Sequence, residues 1–432
     1  MIISQIMQCV WADRKEKYDN ILEYARTLNG DELYSIVKEN KMPFYAYPST
    51  NMNLLSCGIC SYRLKNNFAG CSMCDYEDKN LMDKIYMTAL REKSVKLFTK
   101  AIVNSFINTR GERSSPNVFE LISSYDVFSD DEFPEELFYE IFVANKLFLK
   151  EPFCYVFETR ASSITIEKLN MIKKYLPANS RVIIEFGVET SNEWIRNHWL
   201  NKNIDNKQIF KAIDCIHSSG YKASADVLIG IPGLLELQHI KMFADTVLWL
   251  DKIGVDQMII LPLNRKDYTL HGIIYKYLKD DPLLLNSGLV QGEHTGVPWL
   301  TTIISAIYNV ITLNPNILNK VNVAQVYSHQ NTVRNITPYN KHECKCNKIL
   351  TDELGKMQYK RDYKSIKDAF DYAHSSMHDC YKDYCEIIKK QGDIDIVPTL
   401  RQLINHLIPH ILPLDNKKAQ NEFEIELNLY KE

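Results

Sequence analysis

The sequence predicts an α/β fold: a partial, TIM-like (β/α)6 barrel followed by a mostly helical C-terminal extension. Three observations carry this expectation. Short, almost continuously apolar runs recur between residues 117 and 263, as in strands buried on both faces of a parallel sheet. Runs with helical periodicity alternate with them. The alternation fades after residue 264, so a complete eight-stranded barrel is not expected. The boundaries drawn are an N-terminal helical extension (1–48), the barrel (49–264) and a C-terminal, mostly helical substrate-binding or accessory region (265–432).

Each element has its own signal. Residues 12–48 read as polar helix and loop, and a sixth barrel strand is expected around residues 44–55. A cysteine-rich loop lies within 49–78, followed by helical KNLMDKIYMTALREKSVKLFTKAIVNSF. NVFELISS (117–124) is a predicted strand, and PEELFYEIFVANKLFL (134–149) a helix opened by proline. Strand FCYVFET (153–159), helix ITIEKLNMIKKYL (164–176) and strand RVIIEFGVE (181–189) follow. Then come helix NKQIFKAIDCIHSSG (206–220), strand KASADVLIG (222–230), helix ELQHIKMFADTVLWLDKIG (236–254) and strand VDQMIILPL (255–263). Near the end, alternating FEIELNLY suggests a terminal strand.

Composition narrows the function classes. The chain has 432 residues, 45% hydrophobic and 24% charged, as in a globular protein. Its formal charge of −3 gives no global basic field for non-specific nucleic-acid binding. The start is too polar for a signal peptide, and no apolar run approaches the about 20 residues of a membrane span. A reducing, cytoplasmic setting is therefore expected, with no membrane partner. There the eleven cysteines are metal ligands, reactive thiols or packing residues rather than disulfides. Cys9, Cys154 and Cys215 sit in apolar context and read as packing residues.

The strongest chemical signal is CGICSYRLKNNFAGCSMCDYE (57–77). Cys71 and Cys74 form a C-x-x-C pair, with Cys60 and Cys57 upstream. Two readings stand side by side, and a third, a thioredoxin-like redox pair, lacks a matching fold context. Four cysteines as two C-x-x-C pairs suit a structural zinc knuckle. Three thiolates on a [4Fe–4S] cluster would leave one iron open for another ligand.

Further segments resemble one known family in order and spacing: radical S-adenosylmethionine proteins of the elongator-catalytic-subunit type, closest to the radical enzyme of archaeosine biosynthesis. AGCSMCDYE resembles that family's GGC-T-M-C-G-Y loop, and SSYDVFSDDEFP (123–134) its T-S-G-S-F-L-D-x-x-E-V-P segment. FETRASSITIEKL (157–169) and FGVETSNEWIRNHWLNKN (186–203) resemble its next two strand-end segments. DYTLHGII and GVPWLTTII resemble later ones, so the similarity spans residues 55–305. It implies a [4Fe–4S] cluster on Cys60, Cys71 and Cys74, with Cys60 preferred to Cys57 because Cys60-Ser61-Tyr62 resembles the family's Cys-Ser-Trp. It also implies S-adenosylmethionine bound at strand ends by Ser124, Asp126, Glu158, Arg160, Glu189, Asn192, Gly230 and Pro232. Ser123 joins the amino-group site of that set. Glu158 and Arg160 have the alternative of pairing with each other, Asn192 that of a helix cap, and the Gly230–Gly233 turn that of an ordinary β-α turn. The sequence departs from the family at Tyr125-Asp126, where Gly-Ser is usual, at Asp75 and Ala161, and in GIPGL.

KHECKCNK (341–348) and HSSMHDCYKDYCE (374–386) form a separate set. Cys344, Cys346, Cys380 and Cys385 are candidate ligands of zinc or a second cluster. His374 and His378 would share a helix face at i, i+4. The functional expectation is a radical enzyme. It would cleave S-adenosylmethionine reductively and take a hydrogen atom from a small nucleoside- or amino-acid-like intermediate, with a ferredoxin or flavodoxin as one-electron donor. The alternatives are tRNA base modification of archaeosine type and a non-catalytic zinc-binding interaction protein.

Overall fold

The computed structural model describes residues 1–46, 50–55, 57–76, 80–110, 119–147, 154–324, 335–357 and 360–430. Strands β1 (Phe44–Ala46), β2 (Thr50–Leu54), β3 (Phe119–Ser123), β4 (Cys154–Thr159), β5 (Arg181–Glu189), β6 (Lys222–Ile229) and β7 (Gln257–Pro262) are joined by β9 (Val321–Val323). They form one sheet of order β1-β2-β3-β4-β5-β6-β7-β9. β1 runs antiparallel to β2, and every other neighbouring pair is parallel. The edge strands do not meet, so the α/β sheet is an open, partial barrel. Two-residue strands β8 (Arg265–Lys266) and β10 (Asn335–Ile336) pair apart from it.

The expected strands and helices recur in the expected order. Residues 47–49, 79, 117–118, 148–149 and 153 of the predicted elements lie outside the described residues. The region expected to give the sixth strand is a hairpin, β1 and β2. The alternation also reaches one strand further than its pattern suggests. β9 is three residues long, too short to show a period, yet Met258 N–H bonds the Lys320 carbonyl at 2.8 Å and Ala324 N–H bonds Ile260 at 2.8 Å. The proline-opened helix Glu135–Tyr139 runs into a π-turn over Glu140–Ala144. Three helices, Ile2–Val10, Ala12–Thr27 and Gly30–Val37, make the N-terminal extension.

Two C-terminal expectations are corrected. The tail is a helix, Asn416–Leu427, rather than a strand. Ala419, Phe423 and Leu427 recur every fourth residue and are the buried ones, so the i, i+4 spacing outweighs the local alternation. His374 and His378 do not share a helix: the first ends Tyr363–Ala373 and the second precedes Asp379–Gln391. Among the described residues no helix is long and apolar enough to cross a membrane.

Strand alternation gives the sheet two chemically different faces. Ile122, Phe157, Ile184, Phe186 and Ala225 enter the main core under the helices. The other face carries a small apolar cluster of Leu121, Val156 and Ile183, with Met52 and Cys154 against it. Further along β3, β4 and β5, by the period of two, stand Ser123, Glu158 and Glu185, and on β6 Asp226 follows Ser224, the partner of Glu185, on the same face. Glu158 and Glu185 are direct neighbours in register. This face is therefore apolar at one end and acidic towards the C-terminal ends of the strands.

Candidate functional site

The cysteine loop sits at those C-terminal ends. Leu55 N–H bonds the Ser123 carbonyl at 2.8 Å, which starts the loop beside the end of β3. Cys60 then precedes the short helix Ser61–Lys65. Glu132 holds that start: its carboxylate accepts from Ser61 N–H and Oγ, both at 2.8 Å, and from Asp126 N–H at 3.0 Å. Burial, reinforced by Asp126, raises Glu132 to about 8.

Arg63 organises the turn between the cysteines. Only 1% exposed, it donates to the carbonyls of Phe68 (3.0 Å), Ala69 (2.9 Å) and Cys74 (2.9 Å). Its guanidinium lies 4.0 Å from the Trp11 ring centroid, so the N-terminal extension covers the loop from behind. Gly70 is in the left-handed region (φ +63°) with its missing side chain facing Arg63.

The segment after β5 anchors the loop from the other side. Asn201 Nδ2 donates to the Gly70 carbonyl at 2.6 Å, and Tyr62 Oη donates to the Asn201 carbonyl at 2.5 Å. Ser72 donates to Leu200 and Trp199 carbonyls, both at 2.9 Å, and accepts from Leu270 N–H at 2.7 Å. The segments that looked alike in order are thus in contact: 186–203 and the DYTLHGII run both hold the cysteine loop.

Arg160, just after β4, faces that loop. Its Nη1 is 4.0 Å from Cys71 Sγ, its Nη2 donates to the Lys202 carbonyl at 2.5 Å, and its guanidinium lies 4.1 Å from the Tyr62 ring centroid. Burial lowers its pKa, but the Cys71 and Cys60 sulfurs oppose that and hold it above its ordinary value. Burial and then Cys71 push the Tyr62 hydroxyl up, with Cys60 contributing. Tyr62 and Arg160 therefore both sense Cys60 and Cys71. Cys74 follows through a Cys74 N–H to Cys71 carbonyl bond of 3.1 Å. The three sulfurs are not all within 4.8 Å of one another, whereas a trio on one zinc would be about 3.8 Å apart for 2.3 Å bonds. Cys57 is placed elsewhere: it is 2% exposed in the main core, its thiol raised by burial beside the Ser124 hydroxyl.

The other sequence-expected residues divide clearly. Asp126 is 2% exposed and already engaged: it accepts from Thr159 Oγ1 (2.5 Å), Ser163 Oγ (2.6 Å), Phe128 N–H (3.3 Å) and Arg160 N–H (3.4 Å). It joins the end of β3 to the turn after β4. Glu158 and Arg160 form no ion pair among the described residues. Glu158 lies beside Ser123, Lys202 and Glu189, and burial raises its pKa. Glu189, at a bulge with φ +70°, is closed by a buried ion pair with Lys202. Asn192 caps the next helical turn, accepting from Ile195 N–H at 3.0 Å. The turn after β6 packs against protein: a Cβ on Gly230 would meet Pro298 at 2.7 Å, and the Pro232 carbonyl accepts from Trp199 Nε1 at 2.7 Å. Gly230 and Pro232 form a β-α turn packed against Pro298 and Trp199.

Asp75 and Tyr125 both have partners in the structure. Asp75 pairs with Lys266 at 2.8 Å. Tyr125 has a left-handed backbone, φ +78°, with its ring centroid 6.3 Å from that of Tyr76. Arg63 and Lys202 escaped sequence reasoning because their partners lie in the turn or after a bulge. For Arg63 the one local trace was glycine seven residues on.

On the second sheet face burial raises Glu185 to about 8, with Glu158 adding to it, and pushes Asp226 well above the carboxylate range. These groups hold a proton more readily than ordinary carboxylates do. A cavity of about 1000 Å³ lies beyond the end of β5, lined by Asn192, Trp194, His198, Asp395 and Tyr430 among others.

In the C-terminal region the Sγ atoms of Cys344, Cys346 and Cys380 lie within 4.8 Å of one another. Cys385 does not join them: it is exposed and lies beside Tyr381. Cys380 and Cys385 are five residues apart on one helix, which turns them to different sides. Cys215 is buried and Cys154 half-buried, but Cys9 is exposed rather than packed.

No protein-family model matches the chain. Over 246 residues it is 27% identical to an uncharacterized protein of Methanocaldococcus jannaschii, covering 56% of this chain. The chain spans about 60% of that relative's length. Among solved structures it is similar to a radical S-adenosylmethionine methyltransferase, TsrM, from Kitasatospora setae. With cobalamin and a [4Fe–4S] cluster bound, that protein gives a TM-score of 0.36 at 12% identity, covering 54% of this chain and 41% of that one. With tryptophan and a SAM analogue the values are 0.41, 11%, 76% and 62%. Likeness at this level carries no argument about what this chain does.

Proposed function

We propose that this chain is a radical S-adenosylmethionine enzyme holding one [4Fe–4S] cluster on Cys60, Cys71 and Cys74. The observation that carries the reading is Arg160, a cation fixed between the end of β4 and the cysteine loop, 4.0 Å from Cys71 Sγ. The donor set fits the group. Three half-buried thiols lie in the loop beside the strand ends, and their sulfurs do not all lie within 4.8 Å of one another. When bound, the cluster and S-adenosylmethionine supply one-electron chemistry, a 5′-deoxyadenosyl radical that takes a hydrogen atom from substrate.

The chain's own residues supply the setting. Arg63 fixes the loop through three carbonyls. Arg160, stacked on Tyr62, stabilises thiolate charge and has donors left for a cofactor carboxylate. Asp126 holds the end of β4 in place for Arg160. Glu158, Glu185 and Asp226 offer acceptors to a cationic group. A small amino-acid-like or nucleoside-like substrate carrying an amine is the reading this wall favours. A ferredoxin or flavodoxin is the proposed electron donor. The eleven free cysteines support a cytoplasmic site of action.

The test is anaerobic purification and reduction with S-adenosylmethionine. A brown protein that releases 5′-deoxyadenosine is expected. A colourless protein with zinc on the loop cysteines would overturn the reading in favour of a non-catalytic zinc protein. Salt-dependent binding of bulk tRNA would favour base modification of archaeosine type over a small molecule.

A further inference from the structure

We propose that Cys344, Cys346 and Cys380 are the ligands of a single zinc ion that clips helix Lys345–Lys356 to helix Asp379–Gln391. The site is separate from the cysteine loop and independent of the function proposed for it.

The geometry points to one metal ion. The three sulfurs lie within 4.8 Å of one another, close to the roughly 3.8 Å edge of a tetrahedron with 2.3 Å zinc–sulfur bonds. Cys346 and Cys380 are 3% and 2% exposed, and Cys344 is half-buried. A disulfide would use two of these thiols and strand the third in the same pocket. A zinc ion uses all three.

Two chain segments have been shaped to meet. Cys344 and Cys346 flank the start of the first helix, after a turn in which Glu343 has φ +61° and Cys344 N–H bonds the Lys341 carbonyl at 3.0 Å. Cys380 lies in the first turn of the second helix. Outside the thiols, Lys341 and Asp383 form an ion pair of 2.7 Å between the same segments.

Polar neighbours hold two of the three sulfurs, as metal ligands require. Asn340 Nδ2 points at Cys380 Sγ from 3.9 Å, an N–H suited to a thiolate. Asn340 is itself held: its Oδ1 accepts from Thr301 N–H (2.9 Å) and Thr301 Oγ1 (3.2 Å), and its N–H donates to Asn347 Oδ1 (2.8 Å). Burial raises the pKa of the Cys346 thiol, and the Tyr372 hydroxyl beside it opposes that rise. Through Asn340 the clip reaches the first turn of helix Leu300–Leu313. Among the described residues no further Cys, His, Asp or Glu atom lies within 4.8 Å of all three sulfurs, so a non-protein ligand completes the tetrahedron. Binding converts three thiols to thiolates and releases their protons to solvent.

The experiment uses the full chain, kept reduced, and a Cys60→Ala/Cys71→Ala/Cys74→Ala variant that removes the loop thiols. Elemental analysis should find about one zinc per chain in that variant. Metal-stripped variant titrated with Co(II) should develop thiolate charge-transfer and tetrahedral d–d bands. Cys346→Ser and Cys380→Ser in this background should abolish both signals, and Cys385→Ser should leave them. Should a serine variant not fold, the stripped loop variant still reports through a rise in thermal midpoint on adding zinc. Absence of zinc together with absence of tetrahedral cobalt bands in the reduced loop variant overturns the proposal. So does retention of those bands in both serine variants. Loss of iron from the loop variant bears only on the other centre.

Discussion

The guanidinium of Arg63 fills the space a side chain at Gly70 would need: a Cβ there would stand 2.5 Å from the Arg63 guanidinium carbon. Gly70 also has φ +63°. Gly70→Ala therefore meets both backbone strain and a clash with the group that bonds Phe68, Ala69 and Cys74. Gly220 is the natural control, with φ +77° and nothing within 4 Å of its missing Cβ. Gly220→Ala should lose about 1 kcal/mol for the backbone alone, and Gly70→Ala about 1–3 kcal/mol more. Denaturant midpoints of the two variants check this. Equal losses would mean that Arg63 moves aside at no cost.

The Lys202–Glu189 pair is buried, with side chains 9% and 5% exposed. Removing one partner leaves an uncompensated charge, so Lys202→Met should cost about 3–5 kcal/mol. Lys202→Met/Glu189→Gln should recover much of that loss. A double-mutant cycle measures the coupling. Additive losses would show that the two groups do not act as a pair.

The cysteines should separate by place. Cys60→Ala, Cys71→Ala and Cys74→Ala should each abolish iron binding and 5′-deoxyadenosine formation. Cys57→Ala should keep its iron, because that thiol is core, and lose only stability. Iron content per chain is the measurement. Iron retained by Cys60→Ala but lost by Cys57→Ala would reverse the ligand assignment.

Glu185 gives a pH test. Its ordinary value is 4.5, and burial, then Glu158, raise it to about 8 in the folded chain. Between those limits the folded chain holds more protons than the unfolded one, so this group makes stability fall as pH rises. The contribution is harmless below the unfolded value and fully unfavourable above the folded one. Glu185→Gln should therefore gain stability relative to the parent between about pH 5 and pH 8. Unfolding midpoints across that range report it. A difference that does not change with pH would place the carboxyl in ordinary solvent.

Local chemistry decided what could be read along the chain. RVIIEFGVE is β5 residue for residue, because an apolar run between helices is a property of its own few neighbours. The same holds for the helices at 166, 206 and 236, whose periods are local. The cysteine spacing likewise marked the loop. Tertiary structure alone decided which groups face one another across long stretches of chain. Trp11 covers Arg63, Lys202 closes Glu189, Pro298 fills the space beside Gly230, and Cys380 rather than Cys385 turns to Cys344. Those pairings depend on where distant loops return over the sheet. The tail makes the same point on a smaller scale. Its alternation promised a strand, but the core accepts only the face bearing Ala419, Phe423 and Leu427, and burying that face requires a helix.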